Sequence, residues 1–279
     1  MRKKIFIPKK ELFKLYYQEK KSKYKIGDIY GCSFKTILNR MRDFKMEPLP
    51  RSIIQSTYDK KDFSGNLIEK AYLIGFRLGD LNVYQTSKNS EVIVVRCHTT
   101  TKEQTILMQE LFNRYGKVSV SENRKDKSFH INCFLNKSFL FLLPKEDKVE
   151  EWITVNNQYS AAFTAGYTDA EGNIGIYDGR ARFKIDTYDK NIINWLYSWF
   201  YDNKIICPKP KRIGLKNQIY NRTLGYKYSK DLWRIRVSKT PSLLILFNLI
   251  KPYLKHKQKV IDFKNCIKNI HDRKIKKRN

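Results

Sequence analysis

The stretch Ala71-Tyr-Leu-Ile-Gly75-Phe-Arg-Leu-Gly79-Asp80 returns in altered form as Ala162-Phe-Thr-Ala-Gly166-Tyr-Thr-Asp-Ala170-Glu171, a shift of 91 residues from position 80 to position 171. In both copies small residues recur every four positions, which on a helix leaves one face free of large side chains. Such faces allow two helix backbones to approach each other closely. The two stretches therefore predict a duplicated fold built around two helices in contact.

An acidic residue stands at the end of each predicted helix, Asp80 in the first copy and Glu171 in the second. A carboxylate at a helix C-terminus is electrostatically unfavourable unless a cation lies nearby, because that end already carries partial negative charge. The alternative is a pair of solvated acids at the ends of ordinary core helices. Because the acid is duplicated together with its helix, the sequence favours a divalent metal site where the helices cross.

The elements predicted after each acid follow the same order in both halves. Each half reads helix-strand-strand-helix-strand-strand-helix, so the predicted fold class is α+β, with two pseudo-symmetric αββαββα repeats and one antiparallel sheet in each. Strands are predicted at 83–88, 91–98, 117–122, 128–136, 173–177, 181–187 and 232–238, and helices at 102–115, from 137, at 190–201, 241–255 and 260–273.

Basic and polar residues alternate with apolar residues along the predicted strands. Phe183 and Ile185 point to one side of their strand, whereas Arg182 and Lys184 point to the other. Two such sheets side by side predict a basic concave surface that faces the edges of bases in DNA, although an ordinary solvated sheet face shows the same alternation. The residues predicted to contact DNA from the two sheets and from the basic stretch 207–230 are Arg96, His98, His130, Asn132, Arg182, Lys184, Arg212, Lys216, Gln218, Arg222, Arg234 and Arg236.

The composition indicates a polyanionic partner. The 279 residues contain 56 Lys+Arg and 27 Asp+Glu, a net charge of +29. The longest apolar run, Leu243 to Ile250, is too short to cross a bilayer, so we expect nucleic acid and no membrane. No secretion signal follows Met1, and the five cysteines form no close pairs, so we expect an intracellular protein, in the cytoplasm, nucleoid or an organelle, with reduced thiols.

The N-terminal segment predicts a helix-turn-helix. Helices are expected at 12–17, 24–30 and 33–41, with a tight turn at Gly31-Cys32 and Ser33 as the N-cap of the third helix. That helix presents Lys35 and Arg40, which suits a DNA groove; a three-helix packing module without a DNA role is the alternative. The domains expected are a helix-turn-helix domain at 1–50, a linker at 51–65, the first repeat at 66–150 and the second repeat with a C-terminal helix at 151–279.

These residues resemble the LAGLIDADG homing endonucleases of the single-chain type with two motif copies. The resemblance lies in Leu73–Leu81 and Thr164–Gly172, and with the repeated order it extends over about residues 66 to 260. The first motif departs from the family pattern, because Leu81 replaces the closing glycine and Arg77-Leu78 replaces an apolar-acidic pair. Asp169 matches the earlier acid of the motif, which we expect to cap or to hydrogen-bond rather than to bind metal.

The resemblance implies a saddle of two sheets on double-stranded DNA with a long asymmetric target, bound by a monomer, and site-specific cleavage of both strands in intron or intein mobility. It implies that Asp80 and Glu171 bind Mg²⁺, for which Ca²⁺ or Mn²⁺ can substitute. It also implies a basic residue near the end of each half's last strand, and Lys137 and Lys239 fall there; the alternative is that they contact phosphates or are solvated. A cleavage-inactive DNA-binding regulator and an intron RNA maturase are the competing functions.

Overall fold

Two four-stranded antiparallel sheets and a central pair of helices form the body of the molecule in the computed structural model, which describes residues 5–49, 58–123, 125–221 and 223–275. The first part of the expected linker 51–65, from 51 to 57, and the predicted DNA-contacting Arg222 lie outside the described residues. Within the described ranges, no helix is both long enough and apolar enough to cross a membrane.

The central pair consists of the first motif helix, Leu67–Gly79, and the second motif helix, Asn157–Glu171. Each begins at an asparagine whose side chain accepts hydrogen bonds from the next turn, Asn66 from the Glu69 amide and Asn156 from the Gln158 and Tyr159 amides. These N-caps start the two helices at equivalent places in the repeats.

The two motif helices cross at their glycines. A Cβ on Gly75 would collide with the backbone carbonyl oxygen of Phe163, and a Cβ on Gly166 would collide with that of Tyr72. The two contacts are reciprocal, as expected for two related helices packed about a pseudo-two-fold axis. The close approach predicted from the small-residue stripes is confirmed, and it places the C-terminal ends of both helices side by side.

The first sheet has the strand order β1-β2-β4-β3. Its strands and accompanying helices are β1 Asn82–Gln85, β2 Ile93–Thr99, the helix Lys102–Phe112, β3 Lys117–Asn123, β4 Ser128–Leu135 and the 3₁₀ helix Lys137–Leu142. The helix predicted from position 137 is therefore a 3₁₀ helix. It ends before Pro144, which has no N–H to donate to a helical carbonyl.

The second sheet repeats the pattern with the order β5-β6-β10-β7. The predicted basic stretch contains more structure than expected, because β7 is followed by a separate two-stranded hairpin of β8 and β9. The elements of this half are the short helix Glu151–Thr154, β5 Gly172–Tyr177, β6 Arg180–Thr187, the helix Lys190–Asp202, β7 Lys211–Gly214, β8 Ile219–Asn221, β9 Tyr226–Lys227, β10 Leu232–Val237, the helix Thr240–Ile250, the 3₁₀ helix Lys251–Tyr253 and the C-terminal helix Lys257–Ile275.

The N-terminal residues form a small helical unit with its own core, which includes Leu12, Ile26 and Ile37. Its helices are Lys9–Phe13, continued by a π-helical turn at Lys14–Gln18, then Lys23–Ile29 and Phe34–Asp43. Ser33 caps the last of these, because its Oγ accepts a hydrogen bond from the Thr36 amide. Gly31 in the preceding turn has φ +61, a conformation that glycine adopts readily.

The apolar faces of both sheets and the motif helices share one core. Phe183 and Ile185 from β6 and Ile131 and Cys133 from β4 are fully buried in it, as the alternation predicted. All five cysteines are free thiols, and three of them are buried. The opposite sheet faces remain open to solvent.

Candidate active site

Asp80 and Glu171, hereafter the carboxylate pair, lie together where the motif helices end. Asp80 is the C-cap of the first helix and Glu171 is the last residue of the second. A Cβ on Gly79 would touch the Ala170 side chain and would lie 3.0 Å from Glu171 Cγ, so no larger residue fits between the two chain ends. The small-residue stripes thus determine the separation of the two acids as well as the packing of the two helices.

Burial and the proximity of other carboxylates oppose ionisation of the carboxylate pair. The pKa of Glu171 is raised to about 7, chiefly by burial and also by the charges of Asp80 and Asp189, against the attraction of nearby lysines. Part of the Asp80 side chain reaches solvent, yet desolvation by the surrounding protein raises its pKa to about 6. A cation bound between the two acids would relieve both effects.

Two lysines, hereafter the site lysines, flank the carboxylate pair. Lys145 donates a hydrogen bond to the carbonyl oxygen of Gly79 at 3.4 Å, and Lys259 donates one to that of Gly172. Each therefore binds a carbonyl directly beside one of the acids. The charges of both lysines lower the pKa of Asp80 and of Glu171, while burial lowers the pKa of each lysine.

Two further polar side chains complete the cluster. Gln104 Nε2 donates to Asp80 Oδ2 at 3.0 Å and fixes the orientation of that carboxylate. On the other side Asp189 accepts a hydrogen bond from the Tyr167 hydroxyl at 3.0 Å and interacts electrostatically with Glu171 and Lys145. The two halves thus surround their acids differently, with a neutral amide in the first and a third carboxylate in the second.

Asp169 has the hydrogen-bonding role expected for the earlier acid of the motif. It is 2% exposed, and its Oδ2 accepts from the Tyr72 hydroxyl at 2.8 Å and from the amides of Lys255 and His256 at 2.8 and 3.1 Å. Burial raises its pKa to about 6, against the effect of these hydrogen bonds. Asp169 therefore joins the two motif helices to the start of the C-terminal helix.

Lys137 lies far from the carboxylate pair. Its Nζ forms an ion pair with Glu91 Oε1 at 2.6 Å. Asp80 is near the other end of β2, because Gln104 bridges it to Cys97. The six residues from Glu91 to Cys97 span on the order of 20 Å of extended chain. The structure therefore does not bring Lys137 to the acids.

Lys239 is separated from the carboxylate pair in the same way. Gly172, next to Glu171, pairs with Ile185, and Ile185 pairs with Ile235. Lys239 follows Ile235 by four residues, which corresponds to roughly 13 Å along the strand. The last strand of each half runs away from the acids, so its end is the wrong place for the predicted basic residue. Neither Lys145 nor Lys259 had a distinguishing sequence signal, since both lie among many other lysines.

The open face of the first sheet carries the predicted polar residues in register. Arg96 pairs with Asn132 across β2 and β4, and its guanidinium donates to Asn132 Oδ1 at 3.1 Å and to the Tyr84 hydroxyl at 3.0 Å. His98 pairs with His130, and their ring centroids lie 4.5 Å apart. Four predicted residues thus form two adjacent rows on one face.

The open face of the second sheet is also basic, but several of its arginines bind acids. Arg234 donates two hydrogen bonds of 2.6 Å to the Asp186 carboxylate, and Arg182 donates to Asp178 at 2.8 Å. Arg236 and Lys184 pair across β10 and β6 on the same face. In the basic stretch, Arg212 forms an ion pair with Asp231 at 3.0 Å, and Lys216 and Gln218 are exposed.

In the N-terminal unit, the two residues predicted to contact DNA, Lys35 and Arg40, differ in their surroundings. Lys35 is exposed on the third helix. Arg40 donates to Asp43 at 3.3 Å and to the carbonyl oxygen of Ile5 at 3.5 Å, so its guanidinium is engaged within the unit itself. The alternative of a purely structural role thus suits Arg40 better than Lys35.

The carboxylate pair fits a hard divalent cation in its donor chemistry. Mg²⁺ prefers oxygen ligands and retains several waters, so one or two carboxylates together with substrate phosphate are a usual site. Among the described residues no group of three or more His, Cys, Asp or Glu side chains is arranged to hold a metal ion. Two acids alone leave room for water and phosphate oxygens, and burial raises the pKa of both, so a bound cation would favour their ionised forms.

The chain is similar in structure to solved LAGLIDADG homing endonucleases. I-DmoI in complex with DNA and Mn aligns over 66% of this chain and 98% of its own, at 16% identity and a TM-score of 0.43. The meganuclease I-AabMI bound to uncleaved DNA aligns over 76% and 92%, at 12% identity and a TM-score of 0.47. DUF199/WhiA from Thermatoga maritima aligns over 76% and 63%, at 13% identity and a TM-score of 0.46. No family model and no curated protein sequence matches the chain. At these TM-scores, the fold assignment rests on the topology of the chain itself.

Proposed function

We propose that this chain is a site-specific double-strand DNA endonuclease of the homing type, in which Asp80 and Glu171 hold divalent metal. The observation that carries the proposal is the convergence of the carboxylate pair and the two site lysines at the junction of two related halves. A duplex has two antiparallel strands related by two-fold symmetry. A pseudo-two-fold protein with one acid in each half can therefore present equivalent chemistry to both strands.

The substrate class follows from charge and shape. The net charge of +29 favours a polyanion, and release of counterions from phosphates would supply much of the binding free energy. The row formed by Arg96 and Asn132 lies on the first sheet, and the row formed by Lys184 and Arg236 lies on the second. Both rows offer hydrogen-bond donors to base edges. Since the two rows differ in residue type, we expect a long asymmetric target. Lys35 adds a phosphate or groove contact from the helix-turn-helix.

The proposed reaction is hydrolysis of a phosphodiester bond in each strand. Mg²⁺ held there, or Mn²⁺ in its place, would neutralise charge at the phosphate and would lower the pKa of the attacking water. Asp80 and Glu171 provide the oxygen ligands, and Gln104 holds the Asp80 carboxylate in one orientation. The site lysines, held by the carbonyls of Gly79 and Gly172, provide positive charge beside the scissile phosphates. We assign to Lys145 and Lys259 the cationic role that the sequence placed at Lys137 and Lys239.

The test uses a plasmid that carries the chain's own insertion locus in uninterrupted form. With Mg²⁺ we expect linear product, with EDTA none, and with Asp80→Asn or Glu171→Gln no cleavage while binding persists. Glu122→Gln removes an exposed acid from β3 and serves as the matched control. Metal-independent binding of the locus without any cut would refute the proposed nuclease activity and support a DNA-binding regulator. Selective binding of the intron transcript with faster splicing would support a maturase.

A further inference from the structure

Arg77 is an arginine buried in the apolar first motif helix, with only 4% of its surface exposed. Its Nε donates to the carbonyl oxygen of Leu142 at 2.8 Å, and its Nη2 donates to that of Leu143 at 3.4 Å. Its Nη1 donates to the carbonyl oxygen of Leu81. One guanidinium therefore ties three backbone carbonyls together from two separate stretches of chain.

Those carbonyls belong to the two stretches that build the first half of the site. Leu81 directly follows Asp80, and Leu142 and Leu143 precede Pro144 and Lys145. Lys145 in turn reaches back to the carbonyl of Gly79, directly before Asp80. Arg77 and Lys145 thus bind carbonyls on either side of Asp80, and Arg77 also holds the backbone from which Lys145 extends.

In the second half a buried acid, Asp169, holds the backbone that leads to the other site lysine. Asp169 lies two residues before Glu171, and it accepts hydrogen bonds from the amides of Lys255 and His256, which precede Lys259. A buried side chain on each motif helix therefore anchors the backbone that leads to a site lysine. In the first half the anchor is a donor to carbonyls, and in the second it is an acceptor from amides.

We propose that Arg77 is the positioning residue for Lys145, and that it replaces in the first half the anchoring acid of the second. The proposal rests on the proposed function, since it specifies how one of the site lysines is held. A guanidinium carries five N–H donors in a rigid planar fork, so it can satisfy three carbonyls held at fixed positions. The departure at Arg77-Leu78 from the family pattern is then a change of anchor, and the first half keeps an ordered lysine.

The first experiment resolves cleavage by strand, with a different fluorophore on each strand of the target. In Arg77→Met we expect one strand to be cut about 10- to 100-fold more slowly, the range for residues that orient a metal-site group, so nicked DNA accumulates. Lys145→Met should slow the same strand, and the double variant should be no slower than the slower single variant. Arg114→Met, which removes a surface arginine of the same half, is the control. Equal slowing of both strands would overturn the positioning role.

The second experiment does not depend on cleavage. Acylation rates of individual lysines, followed by mass spectrometry, should show Lys145 reacting faster in Arg77→Met and in the conservative Arg77→Lys, with Lys259 unchanged. Unchanged Lys145 reactivity in Arg77→Lys would refute the anchoring even if Arg77→Met fails to fold. If the wild-type protein cuts no DNA, the proposed nuclease function falls, while the acylation rates still decide whether Arg77 holds Lys145.

Discussion

Replacing Glu171 with glutamine should stabilise the metal-free protein while it abolishes cleavage. Glu171 sits at the negative end of its helix, close to Asp80 and Asp189, and burial is the largest cause of its raised pKa. A neutral amide of nearly the same shape removes the charge that these surroundings disfavour. The structure therefore predicts that the acid is kept at the expense of stability.

The size of the effect follows from the pKa. A rise from 4.5 to about 7 corresponds to about 3 kcal/mol when the group is fully ionised, since each pKa unit is about 1.4 kcal/mol. Glu171 is partly exposed, and solvent screening reduces this to about 1–2 kcal/mol. For a protein of this size the midpoint of thermal unfolding should rise by roughly 2–4 °C.

The sign of the pH dependence provides the check. A carboxyl whose folded-state pKa is raised stabilises the fold below its unfolded-state pKa of 4.5, and this contribution is lost as pH rises through about 7. Thermal unfolding of wild type and Glu171→Gln in EDTA should therefore differ at pH 8 and coincide near pH 4.5. The same comparison with Glu122→Gln corrects for the change in net charge. An equal gain at both pH values, or no gain at pH 8, would refute the reasoning.

Four other expected outcomes concern packing, metal and DNA. Gly75→Ala should lower the free energy of unfolding in urea by about 3 kcal/mol or more, because the new methyl meets the Phe163 carbonyl. Ca²⁺ should raise the thermal midpoint of the wild type, and the same addition should leave Asp80→Asn unchanged. Arg236→Ala should weaken DNA binding measured by anisotropy by about 1–3 kcal/mol at fixed salt. Lys35→Ala should reduce the slope of log affinity against log salt by about 1, and an unaltered slope would exclude a phosphate contact by Lys35.

The repeated architecture could be predicted because its causes are local. Small residues at every fourth position have one economical explanation, a close helix crossing, and the structure confirms it at Gly75 and Gly166. Alternation along β4, β6 and β10 assigned the buried faces correctly because the side-chain period of a strand is two. The helix predicted from position 137 is a 3₁₀ helix over Lys137–Leu142, and its last carbonyl accepts a tertiary hydrogen bond from Arg77, a contact across 65 residues that no local pattern reveals.

The acids of the site were visible in the sequence and its lysines were not. Asp80 and Glu171 occupy equivalent positions in a repeat, so each supports the assignment of the other as a site residue. Lys145 and Lys259 lie outside any repeated motif, in segments that reach the acids through anchors of opposite charge. The position of a lysine at the end of a strand did not show whether that lysine lies near the acids. The register of β2 and β4 places Lys137 beside Glu91, and register depends on the whole sheet.

The electrostatics of the carboxylate pair explain why the fold needs both the small-residue stripes and the lysines. Helix C-termini, burial and mutual repulsion all oppose ionisation of the two acids. Without glycine at positions 75 and 166 the helices would separate, and the repulsion would fall. The fold instead forces the acids together and offsets the charge only in part, with lysines whose own pKa values are lowered by burial. We therefore expect a further cation to stabilise this arrangement, so the stability of Glu171→Gln and the response of the wild type to Ca²⁺ test the same unfavourable electrostatics in two independent ways.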